Sequence, residues 1–375
     1  MNGHFLINTV PWGLVSVRLE RYSAALDSGG SMQSITTLSE FFQRTGAEVR
    51  LFDMGRRVAP FDTTRLAEFE AGDAPWPLPW NGQARLACAF RLGSDASSEP
   101  LIWFLALPLD EQGLLVPGPR DAFIERLLET LGRTVETVGR DDAPQIDNLM
   151  RDNPLVFTPD LHQQAMLHAQ AAHAFAQPTS QHYGLAQAYL IDADANVNWQ
   201  MLGLQGIADV VVHLQREAEA KLATRIAHLP VEVLRPLCYC MEHCDVVDAS
   251  LVPLRERAER AAREGDLETL CAIIRALGAS RDPRVGDWYD ALLEDDAACG
   301  PDVLAAMAAR GWSHLEDAQR LPRFLTRLAD NPNTNFTALV RDLALVPRLR
   351  LPVLMTLRQA SADSAIGRRL AELEH

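Results

Sequence analysis

Leu101-Ile102-Trp103-Phe104-Leu105-Ala106-Leu107 is an uninterrupted apolar run that ends at Pro108. A membrane-spanning helix needs about 20 apolar residues, so this run is too short to cross a bilayer. A short run of aromatic and branched side chains is typical of a strand that is buried on both faces. The run therefore predicts the central strand of a sheet, and no membrane span is expected in the chain.

Two earlier segments complete the predicted sheet. Val49–Met54 alternates apolar and polar residues toward Gly55, and Arg85–Leu92 places alternate apolar residues on one face. Residues 93–100 have the Gly, Ser and Asp content of a loop, so the last two strands should form an antiparallel hairpin. We expect a three-stranded, mostly antiparallel sheet.

Helices are predicted on either side of these strands in the chain. Thr37 and Glu40 have the spacing of a capping box, and Gly46 supplies a left-handed stop, so residues 34–45 should form a short helix. A second helix should begin near Pro119, because proline is favoured in the first helical turn. The sheet is therefore expected to be flanked by helices.

Helical segments follow one another from Asp160 onward, separated by short polar breaks. Their apolar residues recur at three- and four-residue spacing, which is typical of amphipathic helices. The predicted helices are Leu161–Ala176, Leu204–Ala227, Pro230–Cys244, Ser250–Glu264, Asp266–Leu277, Pro283–Asp295 and Pro301–Arg310. The sequence thus predicts a mainly α protein, with a small α+β module over residues 32–140 and an all-α helical domain over residues 155–375.

A weak internal repeat runs through the second half of the helical domain. Three predicted helix starts share a Pro-Arg pair: Pro283, Pro322 and Pro347. Intervening starts, 36 and 33 positions apart, are expected at Asp266, Asp302 and Asn335. Helix pairs with this period favour a HEAT-like solenoid, in which stacked pairs leave a concave face for partners. Because the Pro-Arg starts are irregular, a helical bundle is the alternative.

The formal net charge of −15 bears on the choice of partner. Nucleic-acid affinity comes largely from Lys and Arg that neutralise phosphates, so DNA binding is not expected. The charge is uneven, because Arg320–His375 contains nine arginines and five acidic residues. This basic end predicts either a face for an anionic partner, such as an acidic protein, RNA or phospholipid, or an ordinary solvated helix surface.

Cysteine usage indicates the redox environment. The six cysteines show no regular framework, and most lie in apolar helical or strand segments: Cys88, Cys238, Cys240, Cys244, Cys271 and Cys299. This pattern is typical of reduced thiols in a cytosolic protein. We therefore expect a cytoplasmic location.

Two groups of charged and polar residues follow predicted strands: Asp53, Arg56 and Arg57 after the first, and Asp110, Glu111 and Gln112 after the third. If both strand ends lie at one edge of the sheet, two arginines beside carboxylates could bind a phosphate, a carboxylate or a partner's charged loop. The alternative is that the nearby glycines make turns while the charges form solvated ion pairs of little energetic value. These six residues are the candidates for a ligand- or partner-binding site, and no residue is assigned a catalytic role.

Other candidate chemistry is weaker. Cys240, His243 and Cys244 share a helical face and could bind zinc, but a fourth ligand is not evident and buried free cysteines are common. The sequence contains no phosphate-binding loop, dinucleotide fingerprint, nucleophile elbow or zincin motif. No metal and no cofactor are predicted.

Three motifs resemble a known family: Thr36–Phe42 (TTLSEFF), Phe52–Val58 (FDMGRRV) and Leu107–Leu115 (LPLDEQGLL). They are similar to the opening motifs of an uncharacterised proteobacterial family, a domain of unknown function. The resemblance implies a bacterial cytoplasmic protein, but it implies no activity, substrate or catalytic residue. It begins near Met32, so residues 1–31 are expected to be an extension, either disordered or the product of a misplaced start.

Two functional hypotheses fit these observations. The first is a non-catalytic protein-interaction adaptor or regulator, in which the helical array and the charged sheet edge bind an unknown protein partner. The second is an anionic small-molecule binder or enzyme with a site between the N-terminal module and the helical array. In that case Arg56 and Arg57 would hold the ligand, while Asp110 or Glu111 would provide acid/base chemistry.

Overall fold

A computed structural model of the protein describes residues 35–91, 100–136, 153–194, 196–245 and 248–373. The chain divides into two units, which are named here by their main elements. The sheet unit comprises residues 35–55 and 59–159, and the helical unit comprises Arg56–Val58 together with the residues from Asp160 onward. The extension predicted over residues 1–31 lies outside the described residues.

In its described part the sheet unit contains three helices and four strands. In chain order they are α1 Leu38–Thr45, β1 Glu48–Asp53, β2 Ala59–Phe61, α2 Thr63–Ala71, β3 Gln83–Arg91, β4 Leu101–Pro108 and α3 Pro117–Glu136. The strand order is β2-β1-β3-β4, and all neighbours are antiparallel. The predicted antiparallel sheet and the hairpin of its last two strands are confirmed, but the sheet has four strands and not three.

The strand that the sequence did not reveal is β2. It has three residues, too few for an alternating pattern, and Pro60 stands in its middle. Proline lacks a backbone N–H and is therefore confined to sheet edges. β2 lies at one edge of the sheet, where Phe61 pairs with Leu51 of β1.

β4 lies at the other end of the strand order, so the prediction that it is the central strand is wrong. Its residues 103–107 are nevertheless buried. Part of its outer edge is covered, because Ala106 N donates to Leu155 O at 2.7 Å and Leu105 forms a bridge with Val156. The apolar run therefore reflects burial of both faces and of a backbone edge, a property that central strands and covered edge strands share.

α1 ends as its sequence predicts, but it begins at Leu38 and not at residue 34. The Thr37 hydroxyl accepts a hydrogen bond from Glu40 N at 3.0 Å, and Gly46 adopts a left-handed φ of 62°. The inner face of α1 packs on Trp103 of β4, whose ring centroid lies 5.8 Å from that of Phe41 and 6.2 Å from that of Phe42. These aromatic contacts form the centre of the sheet unit's core.

A second, long-range cap at the start of α1 comes from α2. The buried Glu70 accepts from Leu38 N at 2.7 Å through Oε1, and from Ser39 N at 2.9 Å and Ser39 Oγ at 2.6 Å through Oε2. The first amide groups of a helix have no partner within it, and the helix dipole favours a negative charge there. Glu70 therefore fixes the start of α1 against α2.

The helical unit is all-α in its described part. Its helices are α4 Leu161–Ala174, α5 Tyr183–Leu190, α6 Leu204–Val212, α7 Arg216–Ile226, α8 Val231–Met241, α9 Asp248–Glu264, α10 Leu267–Leu277, α11 Pro283–Glu294, α12 Pro301–Arg310, α13 Arg320–Asp330, α14 Phe336–Leu345, α15 Pro347–Gln359 and α16 Ala365–Leu373. Two 3₁₀ turns, Trp199–Met201 and Trp312–Glu316, join neighbouring helices. Across the described ranges of the chain, none of the helices is long and apolar enough to cross a membrane.

The predicted helix starts are partly correct. Pro283 and Pro347 are the first residues of α11 and α15, and the side chains of Asp266 and Asn335 cap α10 and α14. Pro322 is instead the third residue of α13. The irregular spacing of the Pro-Arg pairs therefore corresponds to different positions within the first turn.

One long predicted helix is two helices. The segment Leu204–Ala227 is interrupted at residues 213–215, so α6 ends at Val212 and α7 begins at Arg216. The apolar residues of α6 and α7 keep helical spacing on both sides of the break, and periodicity alone did not reveal it.

The Glu70 contact gives a stability prediction. Glu70→Ala should lower the free energy of unfolding of the sheet unit by about 2 kcal/mol, because two amide groups and the Ser39 hydroxyl lose a buried acceptor. Urea titration followed by tryptophan fluorescence measures this change. Glu68→Ala is the matched control, since Glu68 lies on the exposed side of α2, and a change of less than about 0.5 kcal/mol is expected. Equal effects of the two substitutions would contradict the assignment of Glu70 as a cap.

Candidate functional site

Arg56, a predicted binding residue, is fully buried in the helical unit. Its Nη2 donates to Asp342 Oδ2 at 2.7 Å and to Asp342 O at 3.0 Å, and its Nη1 donates to Ala308 O at 3.3 Å. Asp342 lies on α14 and is itself buried. A guanidinium group keeps its charge in proteins, so its burial requires such partners. Arg56 therefore links α12 and α14.

Arg57 joins the ends of two further helices. Its Nη2 donates to Gly278 O at 2.8 Å and to Arg310 O at 3.0 Å, at the C-terminal ends of α10 and α12. Its guanidinium carbon lies 4.5 Å from the ring centroid of Trp312, within cation–π range. Burial, with a smaller contribution from Arg310, lowers the pKa of Arg57 to about 10. The side chain is therefore still a cation at neutral pH, placed where helix dipoles favour one.

The backbone of Val58 completes this short segment. Val58 N donates to His243 Nδ1 at 3.0 Å, and Val58 O accepts from Gln170 Nε2 at 2.9 Å. Arg56–Val58 thus contacts α4, the end of α8, α10, α12 and α14 through hydrogen bonds of both side chains and backbone.

A buried carboxylate lies beside His243. Glu242, which is 2% exposed, accepts from Arg275 Nε at 2.5 Å and from Arg310 Nε at 2.7 Å. Burial alone would raise the pKa of this carboxyl group, but the charge of Arg310 and the hydrogen bond from Arg275 outweigh it and lower the pKa to about 2. Glu242, His243, Arg275 and Arg310 are called the Glu242 cluster below.

His243 is neutral in this cluster. Burial lowers its pKa to about 3, against the opposing effect of Glu242. Nδ1 accepts from Val58 N, so the proton of the neutral ring is on Nε2, which lies 3.8 Å from Glu242 Oε1. This contact is therefore a weak polar contact and not an ion pair.

The zinc alternative does not fit this geometry. His243 Nδ1 is already occupied by a backbone amide, and burial raises the pKa of the Cys240 thiol well above its ordinary value. In the parts of the chain that the structure describes, no group of three or more His, Cys, Asp or Glu side chains could hold a metal ion.

The predicted carboxylates belong to the sheet unit. Asp53, at the end of β1, accepts from Gly55 N at 2.7 Å. Asp110 Oδ1 accepts from Gln112 N at 2.8 Å and Leu114 N at 2.9 Å, so it shapes the turn that follows β4. β1 and β4 end at the same end of the sheet, with β3 between them.

The structure separates the six candidates by environment. Arg56 and Arg57 form hydrogen bonds within the helical unit, Asp53 is buried in the sheet unit, and Asp110, Glu111 and Gln112 are exposed. The sequence analysis did not identify Asp342, the partner of Arg56, or the Glu242 cluster, which includes Arg310, a partner of Arg57. These residues are charged and stand among apolar residues of predicted helices, which was the one available signal. That signal does not show which distant residues form a pair.

A different feature lies at the arginine-rich end. On α15, Leu351, Leu354 and Met355 are exposed by 64%, 38% and 47%, and they form what we call the α15 patch. Their spacing places them on one face of the helix. The opposite face packs into the unit through Leu349 and Val353, which are fully buried.

The fold and these contacts define a class of protein, mainly helical with a small antiparallel sheet and with buried arginines that join helix ends. The chain belongs to the family described as Protein of unknown function (DUF3549), which matches residues 33–374. This finding confirms the expectation of an uncharacterised family. No curated protein and no solved structure matches the chain.

Arg56 provides a test of the buried ion pair. Arg56→Ala should lower the free energy of unfolding of the helical unit by about 3–5 kcal/mol, because it leaves the Asp342 carboxylate buried without this cation. The double substitution Arg56→Met/Asp342→Leu should cost less than either single substitution. Urea unfolding followed by circular dichroism measures both.

The control for this prediction is an exposed pair of the same chemistry. Arg50 Nη2 lies 3.0 Å from Glu48 Oε1, with both side chains about two-fifths exposed. Arg50→Ala should therefore change the free energy of unfolding by less than about 1 kcal/mol. If the losses of unfolding free energy caused by Arg56→Met and Asp342→Leu add up to the loss in the double variant, the two buried residues act independently and the prediction is wrong.

Neutral His243 predicts a pH dependence. Its pKa is about 3 in the folded protein against an ordinary 6.5, so between these values the unfolded chain binds a proton that the folded protein does not. The free energy of unfolding should therefore fall as the pH falls, by about 1.4 kcal/mol per pH unit below about pH 6. Glu242 adds a loss in the same direction below its ordinary pKa of 4.5.

The substitution His243→Asn isolates this effect, since an Asn oxygen can accept from Val58 N but does not titrate. Its unfolding free energy should fall less steeply between pH 6.5 and 5 than that of the wild type. His314, whose pKa burial lowers to about 4, leaves part of the slope in place. His228→Asn, at an exposed histidine, is the control, and an equal flattening in it would contradict the role of His243.

Proposed function

We propose that the protein is a non-catalytic adaptor or regulator that binds another protein through its helical unit. The observation that carries this proposal is the α15 patch. Eight large apolar residues are exposed in the described part of the chain, and three of them lie within five positions on one helix. Exposed apolar residues that stand singly are ordinary, whereas clustered ones mark interaction sites.

The contacts and protonation states of the buried charged residues support a non-catalytic role. Arg56 and Arg57, which the sequence offered as binders of an anionic ligand, hold helices together through Asp342 and backbone carbonyls. A catalytic acid or base needs a pKa near the working pH. The pKa of Glu242 is about 2 and that of His243 about 3, so both groups stay in one protonation state at neutral pH.

We further propose that the helical unit is a short HEAT-like solenoid. Contacts between alternate helices, α7 with α9, α8 with α10 and α10 with α12, support the stacking of successive helix pairs. Such arrays expose long surfaces to partners without an enclosed pocket. The exposed turn with Asp110, Glu111 and Gln112 is proposed as a second contact with a protein partner.

Affinity capture tests this proposal. The full chain, its Leu351→Ser/Met355→Ser variant and a Val252→Ser control are used as bait in a lysate of the native host, followed by cross-linking mass spectrometry. We expect a stoichiometric protein partner with wild type and control and its loss with the double variant. Val252 is also exposed but lies on α9, so it controls for general loss of apolar surface.

A different result would favour the rival function. If no protein is captured, while an anionic small molecule co-purifies with all three baits, the protein is a small-molecule binder or enzyme and the adaptor proposal is wrong. Surface substitutions are used because Arg56 and Arg57 are needed for the fold, so their removal would not separate binding from stability.

A further inference from the structure

We infer that the α15 patch is a docking surface for an acidic amphipathic helix of a partner protein. This inference rests on the proposed adaptor function and specifies its partner. Amphipathic helices bind apolar surfaces through residues at i, i+3 and i+4 spacing, and the α15 patch presents the complementary spacing. Met355 adds an adaptable, polarisable side chain to the patch.

The patch is built on a rigid support. Leu349 and Val353 anchor α15 from its other face, and α15 packs against α13, α14 and the 3₁₀ turn Trp312–Glu316. The exposed side chains therefore project from a helix that is already folded, which lowers the entropic cost of binding. Pro352, exposed between Leu351 and Leu354, extends the apolar surface.

The charges around the patch select the partner. α15 contains Arg348, Arg350 and Arg358 and no acidic residue. Arg348 and Arg358 are exposed and lie about one turn before Leu351 and after Met355, where they form a cationic rim. Arg348 forms a long surface ion pair with Glu316 at 3.4 Å, of a kind that contributes at most about 1 kcal/mol and can be exchanged. Rim charges of one sign favour a partner of the opposite sign and disfavour others.

A second copy of the chain fits poorly. In an antiparallel pairing centred on the patch, Arg348 of one copy would lie opposite Arg358 of the other, and in a parallel pairing each arginine would meet itself. Like charges therefore oppose both arrangements. The remaining exposed large apolar residues of the described chain are isolated in sequence: Val116, Leu161, Met201, Val252 and Leu267.

A lipid surface is also disfavoured by the size of the patch. Helices that bind membranes bury a broad apolar face in the interface. In α15 the exposed apolar face is limited to Leu351, Leu354 and Met355 with Pro352, because Leu349 and Val353 lie on the opposite face and are buried in the fold. A narrow apolar strip between arginines matches one acidic helix better than a bilayer.

Peptide selection tests this inference directly. The full-length protein is the target for a display library of random 18-residue peptides, with counterselection on the Leu351→Ser/Met355→Ser variant. We expect enriched sequences with apolar residues at helical spacing flanked by Asp or Glu. The synthesised peptides should bind the double variant at least about tenfold more weakly than they bind wild type or Val252→Ser.

A charge exchange makes the test specific. The variant Arg348→Glu/Arg358→Glu should bind an enriched acidic peptide more weakly than the wild type does. It should bind the same peptide with Lys at its acidic positions more tightly than the wild type does. A loss of binding through misfolding would not restore affinity for the lysine peptide. Circular dichroism and urea unfolding of each variant check that its fold is intact.

Other outcomes would overturn the inference. It is wrong if no enriched peptide depends on the patch, if such peptides are basic, or if vesicles of phosphatidylglycerol bind through the patch and peptides do not. It is also wrong if sedimentation shows a dimer that Leu351→Ser/Met355→Ser dissociates. If the Leu351→Ser/Met355→Ser variant captures a protein partner from the lysate as well as the wild type does, the adaptor function is supported and only the α15 patch is excluded as the binding site.

Discussion

Every α-helix leaves carbonyl groups at its C-terminal end without a partner inside the helix. Here arginine side chains from distant elements repeatedly satisfy them. The arginines and the residues whose carbonyls accept are Arg57 with Gly278 and Arg310, Arg327 with Leu293 and Glu294, and Arg369 with Ala329 and Asn331. Each contact also places a cation at the negative end of a helix dipole. The packing of the helical unit therefore depends on charged groups as well as on its apolar core.

This arrangement requires both close backbone approach and arginine itself. A Cβ atom added to Gly278 would lie 2.9 Å from the backbone of Arg310, and one on Gly311 would lie 2.5 Å from the Tyr289 ring. Gly278 lets the ends of α10 and α12 come close enough for one guanidinium to reach both carbonyls, and Gly311 leaves room for the Tyr289 ring of α11. Both hydrogen bonds come from Nη2, while the planar guanidinium also lies 4.5 Å from the ring centroid of Trp312, a stacked contact that a lysine ammonium would not reproduce.

The local part of this fold was accessible from the sequence, and the long-range part was not. Thr37 and Gly46 cap the ends of α1 through contacts within a few residues, so both caps could be recognised, although the helix was predicted to begin at residue 34 and begins at Leu38. The apolar run of β4 reports burial but not strand order, because a covered edge strand and a central strand bury the same side chains. Arg56 and Asp342 are separated by 286 residues, and no periodicity connects them. The candidate arginines were identified, but their role as internal links depends on partners that only the structure reveals.

Arg56–Val58 is also separated in sequence from the rest of its unit. These three residues follow β1 in sequence, yet they belong with the helical unit, which is therefore discontinuous. Since Asp342 and His243 receive hydrogen bonds from this segment, a linear boundary near residue 155 would remove donors that two buried groups of the helices use. The buried arginines of this segment are thus committed to the fold. The proposed docking surface uses instead the exposed arginines Arg348 and Arg358 of α15, which lie near the other end of the sequence.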